Sequence, residues 1–552
     1  MTGLLYVQGD GTLLVQSDNP DYDAARADLM AFSDLVQRLD PIHVYQVRPI
    51  SLWQAASTGK TARQVLAFLR QYAAHPIPYA LQQLIAGEMS KWGRLALHQG
   101  ARGRIVLRGC SADLDAARAV PAVRELALSD DGDGLVFSAG CRAEVKQILA
   151  SAGWPVRDNV GYQDAPAISF SWDGRTQLRD YQWAAVEQFY ANTRDQSGVV
   201  VLPCGAGKTI VGIAIIQALG RHALVLTPSD TSAKQWQKEL LERTTLTDDD
   251  VALYHANRPL APITITTYQK VAAKKRSGER EHLRRLTGHP WGIVVYDEVH
   301  MLPAPLFRLA ADLQGARRLG LTATLVREDG AEADVFSLIG SKVFEVPWKQ
   351  LEQAGYLAAV RCVEVHVPLS AADAALYERA SVRERHKIAA LNPAKVSVVR
   401  ALLAKHPGES AMVIGHYLES LQTLAAELHC PMVSGQTPQP EREQWLEQFR
   451  SGQIRQIVLS RIANMAVDIP CASVAVQVSG LFGSRQEEAQ RLGRLLRPHT
   501  KEGVFYTLVS KNTVEERTAK HRQLYLVEQG YAYDVMDAEE ILGSVHVAGV
   551  QK

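Results

Sequence analysis

Apolar residues along this chain gather into short β-branched runs in two long stretches and fall into helical periods elsewhere. Gly198 to Leu202 is such a run, without 3.6-residue spacing, and predicts a strand buried on both faces of a parallel sheet. Ala223–Thr227, Ile263–Thr266, Ile293–Tyr296 and Arg318–Leu321 continue the style, and Met412–Gly415, Pro431–Ser434, Ile457–Ser460, Val474–Val478 and Gly503–Leu508 repeat it further on. Strand and helix alternate through both stretches, which predicts two doubly wound parallel-sheet α/β domains over about 175–346 and 347–530, followed by a tail at 531–552.

The first third of the chain reads differently. Leu4–Val7 and Leu13–Val15 are short strand-like runs, and a helical pattern extends around Ala24 to Leu39. Between Thr61 and Trp92 two helices are expected on either side of the break at Pro76 and Pro78: Val65, Leu66 and Leu69 share one face of the first, and Leu81, Leu84, Ile85, Met89 and Trp92 one face of the second. Leu95 to Leu97 reads as a strand that completes a winged-helix-like module within residues 1–100. Arg104–Leu107, Ser111–Ala119, Leu135–Phe137 and Arg142–Ala152 read as strand, helix, strand, helix, a small α/β module over 101–165. Asp164 to Arg175, with Pro, Gly and little periodicity, is the expected linker.

Composition narrows the chemistry. The net charge of +1 means that a nucleic acid, if bound, meets a local basic groove and not a globally basic protein. The six cysteines form no C-x-x-C pair, which argues against a zinc site or disulfide framework and suits a reducing cytoplasm. The N-terminal residues have no basic stretch followed by a long apolar core, and no apolar run approaches a membrane span, so a soluble intracellular protein is expected.

The strongest chemical signal follows the strand at 198–202. Pro203, Cys204, Gly205 and Ala206 form a tight loop, and a helix is expected to begin at Gly207, so that loop amides and the helix N-terminus together hold phosphate. Lys208 would reach the β and γ phosphates and Thr209 would give its hydroxyl to Mg²⁺. Leu202 stands where the usual pattern has a glycine, a form seen in helicase-type motors. Gly59-Lys60-Thr61 carries the same three letters but follows no apolar strand, and helix capping is its expected role.

Downstream, the apolar run Ile293–Tyr296 delivers Asp297, Glu298 and His300 to the C-terminal end of a strand, where ligands bind in such sheets. Asp297 is expected to hold Mg²⁺ through water and Glu298 to activate the attacking water as general base. In the second stretch Arg491, Arg494 and Arg497 lie three apart in a short helical pattern opened by Gln490. One half with a phosphate loop and another with arginines is how a two-domain motor closes over ATP.

Leu178-Arg-Asp-Tyr-Gln182, Leu202 to Thr209, Asp297 to Ala304, Gly320 to Asp329 and Gln490 to Arg497 together resemble a superfamily two helicase of the XPB type, the repair ATPases whose eukaryotic member belongs to transcription factor IIH. The resemblance is strong over 175–530 and loose before it. It implies two RecA-like motor domains using ATP and Mg²⁺, with Arg179 and Gln182 at the adenine, Asp468 sensing the nucleotide, and Gln490 facing the γ-phosphate. It also implies arginine fingers at Arg494 and Arg497, and coupling to DNA through His300, Thr322, Thr324 and the Arg327-Glu328-Asp329 motif. Leu376 to Leu391 takes the place of the family's thumb insertion, shortened, with Arg379, Arg383, Arg385, His386 and Lys387 as a basic run suited to phosphates. The module at about 100–155 takes the place of the family's damage-recognition domain.

The implied activity is an ATP-dependent DNA helicase and translocase moving 3′ to 5′ in DNA repair. Its expected partners are single-stranded, forked or damaged duplex DNA and a nuclease or repair protein, with no membrane partner, in a nucleoid-associated cytoplasmic setting. The alternatives are a double-strand translocase that distorts DNA without processive unwinding, and an ATP-gated scaffold that opens DNA or recruits a nuclease.

Overall fold

The computed structural model describes residues 3–39, 41–130, 133–191, 197–273, 281–301, 316–323, 332–460, 472–480, 492–493 and 502–549. They divide into two compact units, residues 1–202 with 207–346, and 203–206 with 347–552.

Val199, Val200, Val201 and Leu202 are buried, as are Ile293 to Tyr296, because strands in the middle of a parallel sheet are covered by helices on both faces. In the first unit seven described strands run parallel in the order Val251–Leu253, Ile263–Thr267, Ala223–Thr227, Ile293–Asp297, Arg317–Thr322, Gly198–Val201 and Lys342–Glu345. The second unit holds its own parallel sheet of seven described strands, ordered Met432–Val433, Gln456–Ser460, Ala411–Gly415, Val474–Gln477, Gly503–Ser510, Val360–Val367 and Tyr533–Asp537. These are the two doubly wound sheets that the apolar runs predict.

Residues 531–552, expected as a tail, instead supply the edge strand Tyr533–Asp537 and the helix Ala538–Gly549. Ile541 of that helix is fully buried in the second core, and the strand pairs with Val360–Val367. An edge strand needs only one good face, so Asp534 and Val535 stay exposed and the run lacks the apolar signature of a central strand.

The N-terminal third carries two further sheets among the described residues. Leu5–Val7, Thr12–Gln16, Ile42–Gln46 and Asp34–Leu39 pair antiparallel in that order. The helical pattern expected across Ala24–Leu39 ends early: the helix is Tyr22–Met30, and Asp34–Leu39 is a strand that buries Leu35. The helices Ala62–Tyr72 and Tyr79–Lys91 form as expected. The strand read as completing a winged-helix-like module, Leu95–Gln99, pairs instead with Arg104–Arg108 and Val156–Asn159 inside a five-stranded sheet with Leu135–Ser138 and Ser129–Asp130. The reason lies in its pattern: Leu95, Ala96 and Leu97 are consecutive buried residues, which suits a strand covered on both faces and not a solvated wing.

This small α/β module is tied to the first parallel sheet. Arg142 and Lys146 on the helix Arg142–Ser151 converge on Asp158 at 2.8 Å each, all three largely buried. Tyr162 places its hydroxyl 2.8 Å from Ser197 Oγ and its ring 4.8 Å under the Arg317 guanidinium. Gln147 donates to Asp334 at 2.9 Å, and Trp92 meets Phe336. The irregular stretch 164–175 is tied down as well, by backbone hydrogen bonds from Ile168 to Gly220 and from Asp173 to Arg243. Among the described residues no helix is long and apolar enough to cross a membrane.

Candidate active site

The strand Gly198–Val201 ends at Leu202, whose amide donates to the Thr322 carbonyl at 3.0 Å and so aligns the start of the phosphate loop with the neighbouring strand. Gly205 and Gly207 take φ of +81° and +79°, which L side chains rarely adopt. A Cβ on Gly207 would also stand 2.5 Å from Gln182 Nε2. The helix Lys208–Leu219 follows with Gly207 as its N-cap, a residue with no side chain to offer its first turn. A helix that starts at a glycine cap points its leading N–H groups toward the preceding loop, and the helix dipole favours an anion there.

Gln182 comes from the helix Asp180–Ala191, and its Oε1 accepts from the Arg179 amide at 2.9 Å. Arg179 Nη1 donates to the Tyr181 hydroxyl at 3.2 Å. The structure therefore sets the two residues expected at the adenine beside one another, with Gln182 against the phosphate loop.

At the end of the strand Ile293–Asp297 the backbone turns sharply: Glu298 has φ of +49°, and a 3-10 turn follows at Val299–Met301. A non-glycine residue in that region is strained, and such strain concentrates at functional sites. Glu298 Oε1 lies 3.3 Å from Lys208 Nζ, and its Oε2 lies 3.5 Å from His300 Nδ1. The same His300 nitrogen is 2.6 Å from Thr322 Oγ1, so the carboxylate, the histidine and the strand Arg317–Thr322 form one connected line.

The two acids differ in character. Burial, and then the neighbouring Glu298, push the Asp297 carboxyl up to about 7 against the pull of Lys208 and of the Trp236 indole. Burial would raise Glu298 too, but Lys208 and then His300 outweigh it and hold Glu298 below the usual carboxylate range. A carboxylate kept ionised at the strand end suits a general base. Asp297, whose charge the protein leaves incompletely compensated, suits an oxygen ligand of a hard divalent cation, as does the Thr209 hydroxyl.

Two residues that the motif reading missed hold Asp297 in place. Trp236, on the helix Asp230–Arg243, donates its indole N–H to Asp297 Oδ2 at 3.0 Å, and Tyr268 donates its hydroxyl to the Asp297 carbonyl at 2.8 Å. Both lie far from Asp297 in sequence and form no local pattern with it.

Thr324, Arg327, Glu328, Asp329, Asp468, Gln490, Arg491, Arg494 and Arg497 lie outside the described residues. In the second unit the helices Ala371–Arg379 and Val382–Ala390 form a hairpin at the thumb position. Arg383 and Lys387 are exposed on it. Arg385 is turned inward: it donates to the Tyr377 and Glu378 carbonyls at 3.1 and 2.8 Å and lies over the Tyr377 ring.

The family described as ERCC3/RAD25/XPB C-terminal helicase matches residues 351–548, and one described as type III restriction enzyme, res subunit, matches 175–327. A helicase conserved C-terminal domain family matches 5–130. The chain is 44% identical to a DNA 3'-5' helicase XPB of Kineococcus radiotolerans over 98% of each chain. It is 33% identical to a general transcription and DNA repair factor IIH helicase/translocase subunit XPB of Antonospora locustae, over 97% of this chain and 82% of that one. Among solved structures, a fragment described as an HsdR subunit of a type I restriction enzyme from Vibrio vulnificus superposes with a TM-score of 0.50 at 15% identity, covering 84% of each chain, a likeness of fold alone.

Proposed function

This chain belongs to the XPB family of DNA 3'-5' helicases, and from that premise we propose how its residues turn ATP hydrolysis into work on DNA in repair. The observation that carries the proposal is the Lys208–Glu298 ion pair at the C-terminal end of the first parallel sheet. Without nucleotide, Lys208 neutralises the general base. When ATP enters, its phosphates meet the amides of the loop and of the helix Lys208–Leu219, and Lys208 moves from Glu298 to the β and γ phosphates. Glu298 is then free to take a proton from the attacking water, with His300 Nδ1 3.5 Å from its other oxygen.

Thr209 and Asp297 would hold the Mg²⁺, which supplies charge neutralisation at the β and γ phosphates. Arg179 and Gln182 select the adenine, and Arg494 and Arg497 act as arginine fingers from the second motor domain, assisted by Asp468 and Gln490. The relay from Glu298 through His300 to Thr322 carries the state of the phosphate site to the segment that continues into Thr324 and Arg327-Glu328-Asp329, the DNA-coupling residues. Arg383 and Lys387 contribute phosphate contacts on the thumb-like hairpin, while Arg385 holds that hairpin together. A forked or damaged duplex is the substrate, and a repair nuclease the partner class.

ATP turnover measured with single-stranded DNA, duplex DNA, forked DNA and RNA tests the reading. DNA, and forked DNA most, is expected to raise the rate. Equal rates with and without every polymer would contradict a motor.

A further inference from the structure

Trp236 has a place in the structure that neither the motif nor the core explains in full. Its side chain is 1% exposed, yet its one polar atom is spent on Asp297 Oδ2. Its ring also lies flush against the backbone of the helix Lys208–Leu219: a Cβ built on Gly212 would stand 2.5 Å from Trp236 Cη2. One rigid side chain therefore touches both halves of the phosphate site, the helix that carries Lys208 and Thr209 and the strand end that carries Asp297. An indole N–H on one carboxylate oxygen fixes the rotation of that carboxylate. Partners of this kind on a metal ligand typically change metal affinity by about 10- to 100-fold.

We propose that Trp236 is a positioning residue for the divalent cation, orienting Asp297 and setting its spacing from the helix bearing Thr209. The proposal rests on the assignment of Asp297 as metal ligand. A tryptophan that only fills the core would satisfy its N–H on any acceptor, and losing that N–H would cost stability without touching metal affinity.

The test uses the full chain with ADP, Mn²⁺ as the metal probe and free Mn²⁺ read by its electron paramagnetic resonance signal. Trp236→Phe keeps a ring against Gly212 and removes the donor. It is expected to weaken Mn²⁺ binding by about 10- to 100-fold, while ADP affinity in chelator stays within about twofold of the parent. Asp297→Asn is expected to weaken Mn²⁺ as well, and Trp236→Phe added to it to cause no further loss, because the two act as one unit. Parental Mn²⁺ affinity in a folded Trp236→Phe chain, or an undiminished further loss in the Asp297→Asn background, overturns the proposal. If Asp297→Asn alone leaves Mn²⁺ binding unchanged, the metal assignment itself falls and the inference with it. Should phenylalanine prevent folding, benzothienylalanine placed at position 236 keeps the indole shape without the N–H and gives the same readout.

Discussion

Gly-Lys-Thr occurs twice in this chain, at 59–61 and at 207–209, and the two copies have different fates. Both glycines have positive φ, +92° and +79°, and both stand at the start of a helix. In the first copy Thr61 is the N-cap: its hydroxyl accepts from the Gln64 amide, and Gln64 reaches back to complete a capping box. The helix end is thereby satisfied from within. In the second copy the frame moves by two residues, so that glycine is the cap, lysine and threonine fall inside the helix, and the cap itself has no side chain to give the first-turn amides. Lys60 pairs with Asp28 at the surface, whereas Lys208 pairs with a strained glutamate at the end of a buried strand. Three letters specify a phosphate site only when a central strand precedes them and the cap position is left to glycine.

The largest contrast is in rate. Lys208→Ala is expected to abolish DNA-stimulated ATP hydrolysis, a fall of about a thousandfold or more on the scale of a charge lost from a phosphoryl-transfer site. Lys60→Ala is expected to keep the parental rate. Comparable rates in a steady-state assay would make the two copies equivalent and remove the site assignment.

Next in size is a contrast between ion pairs of nearly equal length. Lys146–Asp158 is buried at 2.8 Å, and Lys60–Asp28 is partly exposed at 2.7 Å. Asp158→Asn leaves buried cations without their carboxylate and is expected to destabilise the chain by about 3 to 5 kcal/mol in denaturant titration. Asp28→Asn is expected to cost under about 1 kcal/mol. Burial would raise the Asp158 carboxyl, but Lys146, Arg142 and Arg318 outweigh it and hold it below the usual carboxylate range. Its contribution to stability is therefore complete above the unfolded value of about 4 and is lost as pH falls through the lower folded value. Acid melting curves should be shallower for Asp158→Asn than for the parent.

Gly207→Ala and Gly59→Ala separate backbone strain from site geometry. Each forces a side chain into left-handed space at roughly 1 to 2 kcal/mol. Nothing lies within 4 Å of a Cβ at Gly59, whereas at Gly207 it meets Gln182. Only Gly207→Ala is expected to weaken ATP, by about tenfold or more for each 1.4 kcal/mol of displacement, read by nucleotide titration. The smallest effect is at the threonines. Thr61→Ala is expected to cost about 1 kcal/mol of stability with no change in hydrolysis. Thr209→Ala is expected to leave stability nearly unchanged and to raise the Mg²⁺ concentration needed for half-maximal rate.

The central strands were legible because their residues are apolar on both faces, as at Val199–Val201 and Ile293–Tyr296. In the two parallel sheets the strands that escaped sequence reading are of two kinds. Val251–Leu253, Lys342–Glu345 and Tyr533–Asp537 are sheet edges with one face to cover. Val360–Val367 is interior but carries Glu364 and His366, a pattern that looks solvated until the fold supplies partners: the two side chains meet at 2.7 Å and Gln523 donates to Glu364. In the site, Lys208, Asp297 and Glu298 announce themselves by position after apolar strands. Trp236 and Tyr268 do not, because their role depends on which helices cover the sheet. The basic run at 383–387 was legible as charge alone, and only the hairpin shows that Arg385 is committed to Tyr377 and Glu378.

In the proposed cycle Glu298 is the base of a DNA-driven ATP hydrolase, and Lys208 restrains it until nucleotide arrives. Glu298→Gln, assayed for ATP binding and for turnover on forked DNA in the same preparation, tests it most directly. ATP is expected to bind at least as tightly as to the parent, because Lys208 is released from its carboxylate, with hydrolysis reduced by about a thousandfold. Turnover near the parental rate, or loss of ATP binding together with turnover, would contradict it.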